Sequence, residues 1–290
     1  MTDFQPGIFD KRYRLHLFLE WTLRDESQAQ AVREQLDALE QLAGDQVDLT
    51  LAFGPGLWQR LDGGFPFPAF SLEGHLPETQ GDLLVWLQGD DRGELFDRAM
   101  AVRQHLSAAM TLQLELDAFV YHDSRDLTGF VDGIGNPKGD KALAAALVPE
   151  GLPGAGGSFV LTQKWVHDLA AFKALPVAEQ ERVIGRTRDD AVEFSEDEMP
   201  VDAHVGRTDV AHDGVPQKIW RRSVPYGNST EHGLYFVAFS CELSRFDYLL
   251  RRMYGLADDT VTDRLLSFSQ PVTGSYWYAP TRGWLSGGKK

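Results

Sequence analysis

The stretch Tyr13-Arg-Leu-His-Leu-Phe-Leu-Glu-Trp-Thr-Leu23 alternates well enough between apolar and polar side chains to predict a β-strand. The segments that follow it complete a strand–helix–strand–strand–helix–strand order. They are a helix over 25–42, strands over 47–53 and 82–88, a helix over 94–110 and a strand over 112–120. This order is the ferredoxin-like plan, and it fills the chain to about residue 121.

The second half has a comparable order of elements. It comprises a strand over 157–167, helical patches over 169–175 and 177–186, strands over 218–222 and 234–241, and helical segments over 244–254 and 259–268. No sequence repeat relates the halves, so a duplication is inferred from element order alone. We expect an α+β protein of two ferredoxin-like halves, 1–127 and 157–290, each with an antiparallel sheet and helices. The linker, 128–156, is rich in glycine and proline.

Composition excludes several classes of protein. The 290 residues carry a net charge of −15, which repels phosphate backbones and anionic membranes, so we expect neither nucleic acid nor a membrane as a partner. The single cysteine, Cys241, excludes an internal disulfide framework and a cysteine-held iron–sulfur site. The N-terminal residues lack the features of an export signal, and no stretch approaches the ~18 apolar residues of a membrane span. We therefore expect a cytoplasmic protein.

The segment Gly129-Phe-Val-Asp-Gly-Ile-Gly-Asn-Pro137 surrounds one acid, Asp132, with three glycines and a proline. This composition forces a tight, irregular backbone. One interpretation is a turn in which Asp132 caps its neighbours, and another is a carboxylate held rigidly for chemistry. The segment lacks the acid pattern of a calcium loop, and by itself it leaves both interpretations open.

His204 lies in Val201-Asp-Ala-His-Val-Gly-Arg-Thr-Asp209. A lone histidine is commonly an ordinary surface or core residue. No His, Cys or Glu stands near it at the spacing of a zinc site, so a metal site with several protein ligands is not expected. An axial ligand to a haem iron needs no second protein ligand, and that role therefore stays open for His204.

Two adjacent arginines occur in Ile219-Trp-Arg-Arg-Ser-Val-Pro-Tyr-Gly227. Neighbouring residues of a strand point to opposite faces, so one of Arg221 and Arg222 faces inward or is paired. The alternative is a pair of edge-strand arginines in surface salt bridges.

Together, these three segments resemble the dye-decolorizing peroxidase family, and in particular its cytoplasmic bacterial type. The family's Gly-x-x-Asp-Gly motif is matched at residues 129–133, its axial histidine by His204 and its distal arginine by Arg221. The C-terminal segment that begins at Asp263 is similar to the family's ending. The chain departs from the pattern at Ser223, where some bacterial members carry an asparagine.

The resemblance implies a fold of the dimeric α+β barrel superfamily, with the halves packed around a haem pocket and haem b as cofactor. It implies that His204 ligates the iron, that Asp263 partners this histidine, and that Asp132 and Arg221 act on hydrogen peroxide, with Ser223 beside them. The implied function is reduction of hydrogen peroxide with oxidation of aromatic or dye-like reductants, through a high-valent iron–oxo intermediate. Members of this type are cytoplasmic homo-oligomers.

Three more residues are assigned to the pocket. Arg207, three residues after His204, is a candidate to pair with a haem propionate. Leu234 and Phe236 share one strand face and are candidates for an apolar ceiling, although plain core packing explains them equally well. Two other functions stay open at this point: a haem-binding protein that releases iron or delivers haem, and a scaffold without a cofactor.

Overall fold

The computed structural model describes residues 3–62, 64–257 and 259–287. The strands in this part of the chain are β1 (Leu15–Leu23), β2 (Val47–Phe53), β3 (Leu83–Gly89), β4 (Met110–Phe119), β5 (Ser158–His167), β6 (Ala211–His212), β7 (Val215–Pro216), β8 (Trp220–Arg221), β9 (Val224–Gly227), β10 (His232–Ser240), β11 (Ser269–Pro271) and β12 (Ser275–Ala279). The pair β6 and β7 forms a small separate sheet, and all the other strands belong to one large sheet.

The α-helices in the same part of the chain are α1 (Ala29–Glu40), α2 (Pro55–Asp62), α3 (Arg92–Leu106), α4 (Asp140–Ala146), α5 (Leu169–Ala174), α6 (Val177–Ile184), α7 (His204–Thr208), α8 (Leu243–Met253) and α9 (Arg282–Leu285). Short 3₁₀ helices cover Pro6–Ile8, Glu26–Gln28 and Arg264–Ser267. None of the helices in the described residues is both long and apolar enough to cross a membrane.

The two halves have the same sheet topology. The N-terminal strands are antiparallel in the order β2–β3–β1–β4, and the C-terminal strands are antiparallel in the order β9–β10–β5–β12. Among these four strands of each half, the one that comes first in the chain (β1 or β5) lies between the third and the fourth, which is the ferredoxin-like arrangement. The prediction of an α+β protein with two such halves is confirmed.

The sheets of the two halves join at both edges. Tyr278 of β12 pairs with Phe53 of β2, and Ala118 of β4 pairs with Tyr226 of β9. These two junctions close eight strands into a ring, so each strand has one face inside the ring and one face outside it. The halves therefore share a continuous sheet. The division of the chain at residues 127/128 and 156/157 stays a prediction.

Side chains are buried on both faces of this sheet. In β1, Leu17, Leu19 and Trp21 belong to the same apolar cluster as Val32 of α1, on the helix-covered face. The next residue along from Leu17, Phe18, belongs to a second cluster inside the ring. Because both faces exclude water, the interior of the ring is a second core, to which α4 contributes Ala142 and Ala146.

The interior of the ring also encloses a carboxylic acid. Glu20 is 3 % exposed, and its Oε1 accepts hydrogen bonds from the hydroxyls of Tyr235 and, at 3.4 Å, Thr162. Trp277 in turn donates from Nε1 to the Thr162 hydroxyl at 2.8 Å. Burial raises the pKa of Glu20 to about 7, although the bonds from Tyr235 and Thr162 oppose part of this shift.

Several element boundaries differ from those predicted. The helix predicted over 94–110 ends at Leu106, because the chain turns there and Met110 already pairs with Leu23 of β1. No element is predicted between β2 and β3, but Pro55 begins α2. A proline is favourable at the first position of a helix, because the N–H that it lacks would have no partner within the helix there. The predicted linker contains α4.

Another difference lies near the C-terminus. The helical segment predicted over 259–268 is only a 3₁₀ turn, Arg264–Ser267, which Asp263 caps by accepting a bond from the Leu265 N–H at 2.9 Å.

We expect Glu20→Gln to change how stability depends on pH. Between about pH 4.3, where an unfolded glutamic acid ionises, and pH 7, the folded state holds a proton that the unfolded chain has lost. Glu20 therefore lowers the free energy of unfolding as pH rises through this window. Relative to wild type, Glu20→Gln should gain on the order of 2–3 kcal/mol between pH 5 and pH 8 in urea denaturation.

The comparison must be with wild type at each pH, because burial lowers the pKa of His16 to about 3. A histidine with a depressed pKa makes stability rise with pH below about 6.5, which opposes the effect of Glu20. Glu115→Gln, at an exposed position on β4, is the matched control. An equal pH-dependent gain in both variants would contradict the prediction.

Candidate active site

A cavity adjoins the ring on the side of the C-terminal half. It encloses about 1460 Å³ of empty space, part of it open to solvent. Its wall includes apolar side chains from β10 and α8, among them Leu234, Phe236, Leu249 and Leu250. Polar groups are interspersed among them. A mostly apolar wall with a few polar groups suits a largely apolar ligand that makes a few polar contacts.

His204 lines the cavity as the first residue of α7. Its Nδ1 lies 2.7 Å from Oδ2 of Asp263, whose side chain is fully buried. A carboxylate at this distance accepts a hydrogen bond from Nδ1–H, which leaves the lone pair of the ring on Nε2. The His204 side chain is 30 % exposed, so the remaining nitrogen is accessible to a ligand in the cavity.

Asp132 lines the same cavity, on the glycine-rich loop after β4. Gly129 and Gly133 have φ of 96° and 75°, which favours glycine over any other residue. Asp132 accepts a bond from the N–H of Gly133 at 2.6 Å, and its own N–H donates to the carbonyl of Ser124 at 2.9 Å. The capping interpretation is therefore compatible with a carboxylate that is presented to the cavity.

Arg221 and Arg222 point in opposite directions, as expected for strand neighbours. Arg221 lines the cavity, and its buried Nε has no hydrogen-bond partner among the described residues. Arg222 faces the interior of the ring, where it donates to the carbonyls of Gly7 and Ile8 at 2.8 and 3.0 Å and to Gln88 at 2.7 Å. Burial lowers the pKa of Arg222 to about 10.

Three other predicted residues also line the cavity: Ser223, Leu234 and Phe236. The hydroxyl oxygen of Ser223 accepts a bond from the N–H of Val237 at 3.3 Å, which leaves its O–H able to donate elsewhere. Leu234 and Phe236 share one face of β10, as their spacing requires. The structure thus brings all the predicted residues to the cavity or directly behind it, with one exception.

The exception is Arg207, which does not belong to the described lining of the cavity. It is 1 % exposed, and its guanidinium donates to both oxygens of Asp259, at 2.6 and 2.9 Å, and to the carbonyl of Arg252. These bonds hold the pKa of Asp259 below its usual range. A contact between Arg207 and a carboxylate in the cavity would require the buried guanidinium to give up these bonds, so we do not retain the propionate role.

A polar cluster on the wall was missed in the sequence. His167, the last residue of β5, lies with Nε2 3.1 Å from Asp126 and with Nδ1 2.7 Å from the hydroxyl of Ser269. All three side chains line the cavity. Burial disfavours the charged form of Asp126, but His167 and Thr128 outweigh this effect, and the pKa of Asp126 lies below its usual value. These residues are far apart in the chain, and no local motif connects them.

Comparisons with known proteins identify the class to which this fold and cavity belong. Residues 123–283 match the model of the family described as "Dyp-type peroxidase, C-terminal". A dye-decolorizing peroxidase of Mycolicibacterium paratuberculosis is 37% identical over 246 residues, which span 81% of this chain and 69% of that protein. The chain belongs to the dye-decolorizing peroxidase family, and the resemblance seen in the sequence is confirmed.

Solved structures agree with this membership. The encapsulated DyP-type peroxidase from Mycobacterium smegmatis superposes with a TM-score of 0.91 at 33% identity, covering 99% of this chain and 98% of that one. A variant of DypB from Rhodococcus jostii RHA1 in complex with haem gives a TM-score of 0.85 at 30% identity, covering 95% and 96%. The enzymatic class of this chain is therefore that of the dye-decolorizing peroxidases. The roles of individual residues stay predictions.

The two arginines should differ sharply in their effect on stability. Arg222→Ala leaves Oε1 of Gln88 without a described partner and empties a buried space, although the carbonyls of Gly7 and Ile8 keep their bonds from Gln88 and Trp220. We therefore expect it to cost about 2–4 kcal/mol of unfolding free energy. Arg221→Ala removes a side chain whose Nε has no partner, and we expect a cost below about 1 kcal/mol. Urea denaturation of the two variants measures this difference. Equal costs would show that the assignment of faces is wrong.

Proposed function

We propose that this chain is a haem-dependent peroxidase that reduces hydrogen peroxide and oxidises organic reductants of the aromatic or dye-like class. The observation that carries the proposal is the pair formed by His204 and the buried Asp263, facing the same cavity as Asp132 and Arg221. Family membership supports it, and a haem complex of a relative supports the choice of cofactor.

The residues present fit haem b. An imidazole whose Nδ1 is engaged by a carboxylate is suited to bind iron through Nε2. Leu234 and Phe236 offer apolar contacts to a porphyrin, and the guanidinium of Arg221 would offer hydrogen-bond donors in the same cavity. When bound, the haem iron would supply the centre at which the peroxide O–O bond is cleaved and from which reductants are oxidised.

Asp263 would set the character of the iron ligand. By accepting the proton of Nδ1, it fixes the tautomer and the orientation of the His204 ring, and it makes Nε2 a more electron-rich donor. Its own position is fixed by the bond from the N–H of Leu265 to its other oxygen. The orientation of the histidine ring is thus fixed by a buried carboxylate rather than by solvent.

On the opposite side, Asp132 would move a proton. Its carboxylate accepts one peroxide proton as a general base and returns it to the departing oxygen as a general acid. Arg221 would stabilise the negative charge that develops on that oxygen, since a guanidinium keeps its proton near neutrality. The hydroxyl of Ser223 would donate to peroxide and help to orient it, as a shorter substitute for the asparagine of some relatives.

The proposal also includes the cytoplasmic location and the homo-oligomeric state that the resemblance implies. Both rest on the resemblance alone.

We expect His204→Ala to fold but to lose firmly bound haem, because the other histidine of the described cavity lining, His167, has both ring nitrogens engaged, by Asp126 and by the hydroxyl of Ser269. Haem content after gel filtration, measured by absorbance in the Soret region, checks this. His75→Ala, at an exposed histidine, should retain wild-type haem content. Full haem occupancy in His204→Ala would refute the ligand assignment.

The rate of reaction with hydrogen peroxide tests the proposed roles of Arg221 and Asp132. In haem-loaded protein mixed with hydrogen peroxide in a stopped-flow instrument, Arg221→Ala and Asp132→Asn should each slow the change in haem absorbance by about 10²–10³-fold. The controls are Arg92→Ala, which removes an exposed guanidinium, and Asp123→Asn, which neutralises an exposed carboxylate. If the cavity variants react as fast as these controls, the two residues do not carry the reaction.

A further inference from the structure

The side-chain amide of Asn136 bonds to both backbone polar groups of Arg221. The N–H of Arg221 donates to Oδ1 at 3.0 Å, and Nδ2 donates to the carbonyl of Arg221 at 2.8 Å. The two residues are 85 positions apart in the chain. Asn136 is 8 % exposed, so solvent cannot readily replace these bonds.

We call this pair of hydrogen bonds from Asn136 to the Arg221 backbone the clamp. The position of β8 in the sheet explains why it is needed. β8 has two residues and lies at the end of the strand order, next to β10. The neighbouring N–H, that of Arg222, donates to the carbonyl of Val237 on β10 at 2.7 Å. The N–H and carbonyl of Arg221 therefore point away from β10, where the sheet offers no further strand. The amide of Asn136 takes the place of that strand, and without it two buried backbone groups would lack partners.

The same loop carries Asp132, four residues earlier. The N–H of Asn136 donates to the carbonyl of Gly133 at 3.1 Å, which makes the intervening residues a closed turn. The loop also lies close to the guanidinium, because a Cβ built on Gly135 would stand 3.4 Å from Nη2 of Arg221. The clamp thus connects the loop that presents Asp132 with the strand that presents Arg221.

We propose that Asn136 is a positioning residue, which fixes the position of the Arg221 guanidinium relative to the Asp132 carboxylate on the same side of the cavity. The direction of the Arg221 side chain depends on its backbone, because no described residue accepts a bond from its Nε. A backbone shift of β8 would therefore carry the guanidinium away from the site where charge develops. This inference rests on the proposed function, in which Arg221 acts on a ligand in the cavity.

A clamp that serves only stability would affect unfolding but not the chemistry of the cavity, and the chain offers a matched example of such a clamp. The amide of Gln5, which is 2 % exposed, bonds to both backbone groups of Leu51: its Nε2 donates to the Leu51 carbonyl, and its Oε1 accepts from the Leu51 N–H, both at 2.8 Å. Neither Gln5 nor Leu51 lines the cavity. Gln5→Ala therefore removes the same kind of clamp from another part of the fold.

The test compares haem-loaded wild type, Asn136→Ala, Gln5→Ala, Arg221→Ala and the double variant Asn136→Ala/Arg221→Ala. One readout is the rate of the absorbance change with hydrogen peroxide. The other is the Kd of fluoride for the ferric haem, measured by absorbance titration, because a bound anion is stabilised by a guanidinium in the cavity without any turnover.

In Asn136→Ala we expect the peroxide rate to fall at least about tenfold and the fluoride Kd to rise about tenfold, which corresponds to about 1.4 kcal/mol. Haem content should stay at the wild-type level. Gln5→Ala should lower the melting temperature while both readouts stay at wild-type values. The double variant should bind fluoride no more weakly than Arg221→Ala alone, because Asn136 acts through Arg221.

Wild-type values of both readouts in Asn136→Ala, or equal effects in Gln5→Ala, would overturn the inference. Should Asn136→Ala not retain haem, Asn136→Leu, which removes both bonds but fills the space of the amide, takes its place, and wild-type values of both readouts there would equally overturn the inference. If wild type failed to react with peroxide while fluoride affinity still fell in Asn136→Ala, the proposed function would be wrong and the positioning role would stand.

Discussion

Side chains along β8 and β10 alternate between two buried environments, and the site depends on this alternation. Arg221, Leu234 and Phe236 face the cavity, whereas Arg222 and Tyr235 face the interior of the ring. A shift of either strand by one residue would exchange the two sets. It would bring Arg222 to the cavity and bury Arg221 without the acceptors that surround Arg222. Burial of both faces therefore makes the register of these strands strongly specified.

Two fully buried carboxylic acids illustrate how neighbours determine chemistry in this fold. Asp263 has an imidazole as its partner, and this pairing gives His204 a defined tautomer. Glu20 has only neutral hydroxyl donors, and burial raises its pKa to about 7. One acid thus orients an imidazole, the one proposed here as the iron ligand. The other sits within an aromatic core, where its protonation is coupled to stability.

The closed ring explains how residues distant in the chain meet with fixed geometry. The loop that follows β4 belongs to the junction between the halves, and β4 itself pairs with β9. Asp132 therefore comes from the connection between the halves, while Arg221 comes from an edge of the second half. The amide of Asn136 bridges the two, and it does so through backbone groups that the sheet leaves free. An opening between the halves would disturb both residues at once.

The sequence by itself determined the ferredoxin-like order of the N-terminal half, since strands such as β1 and helices such as α1 follow from local hydrophobic periodicity. It also determined the family, because motif residues such as Asp132, His204 and Arg221 stand in a recognisable order. The end of α3, the helix α2 and the 3₁₀ turn after Asp263 depended on caps and on pairing with distant strands. Only the tertiary structure decided that Arg207 binds Asp259, that His167 meets Asp126, and that Asn136 holds Arg221. These contacts join residues 41 to 85 positions apart. Polar side chains show no periodic pattern in the sequence from which a distant hydrogen-bond partner could be predicted.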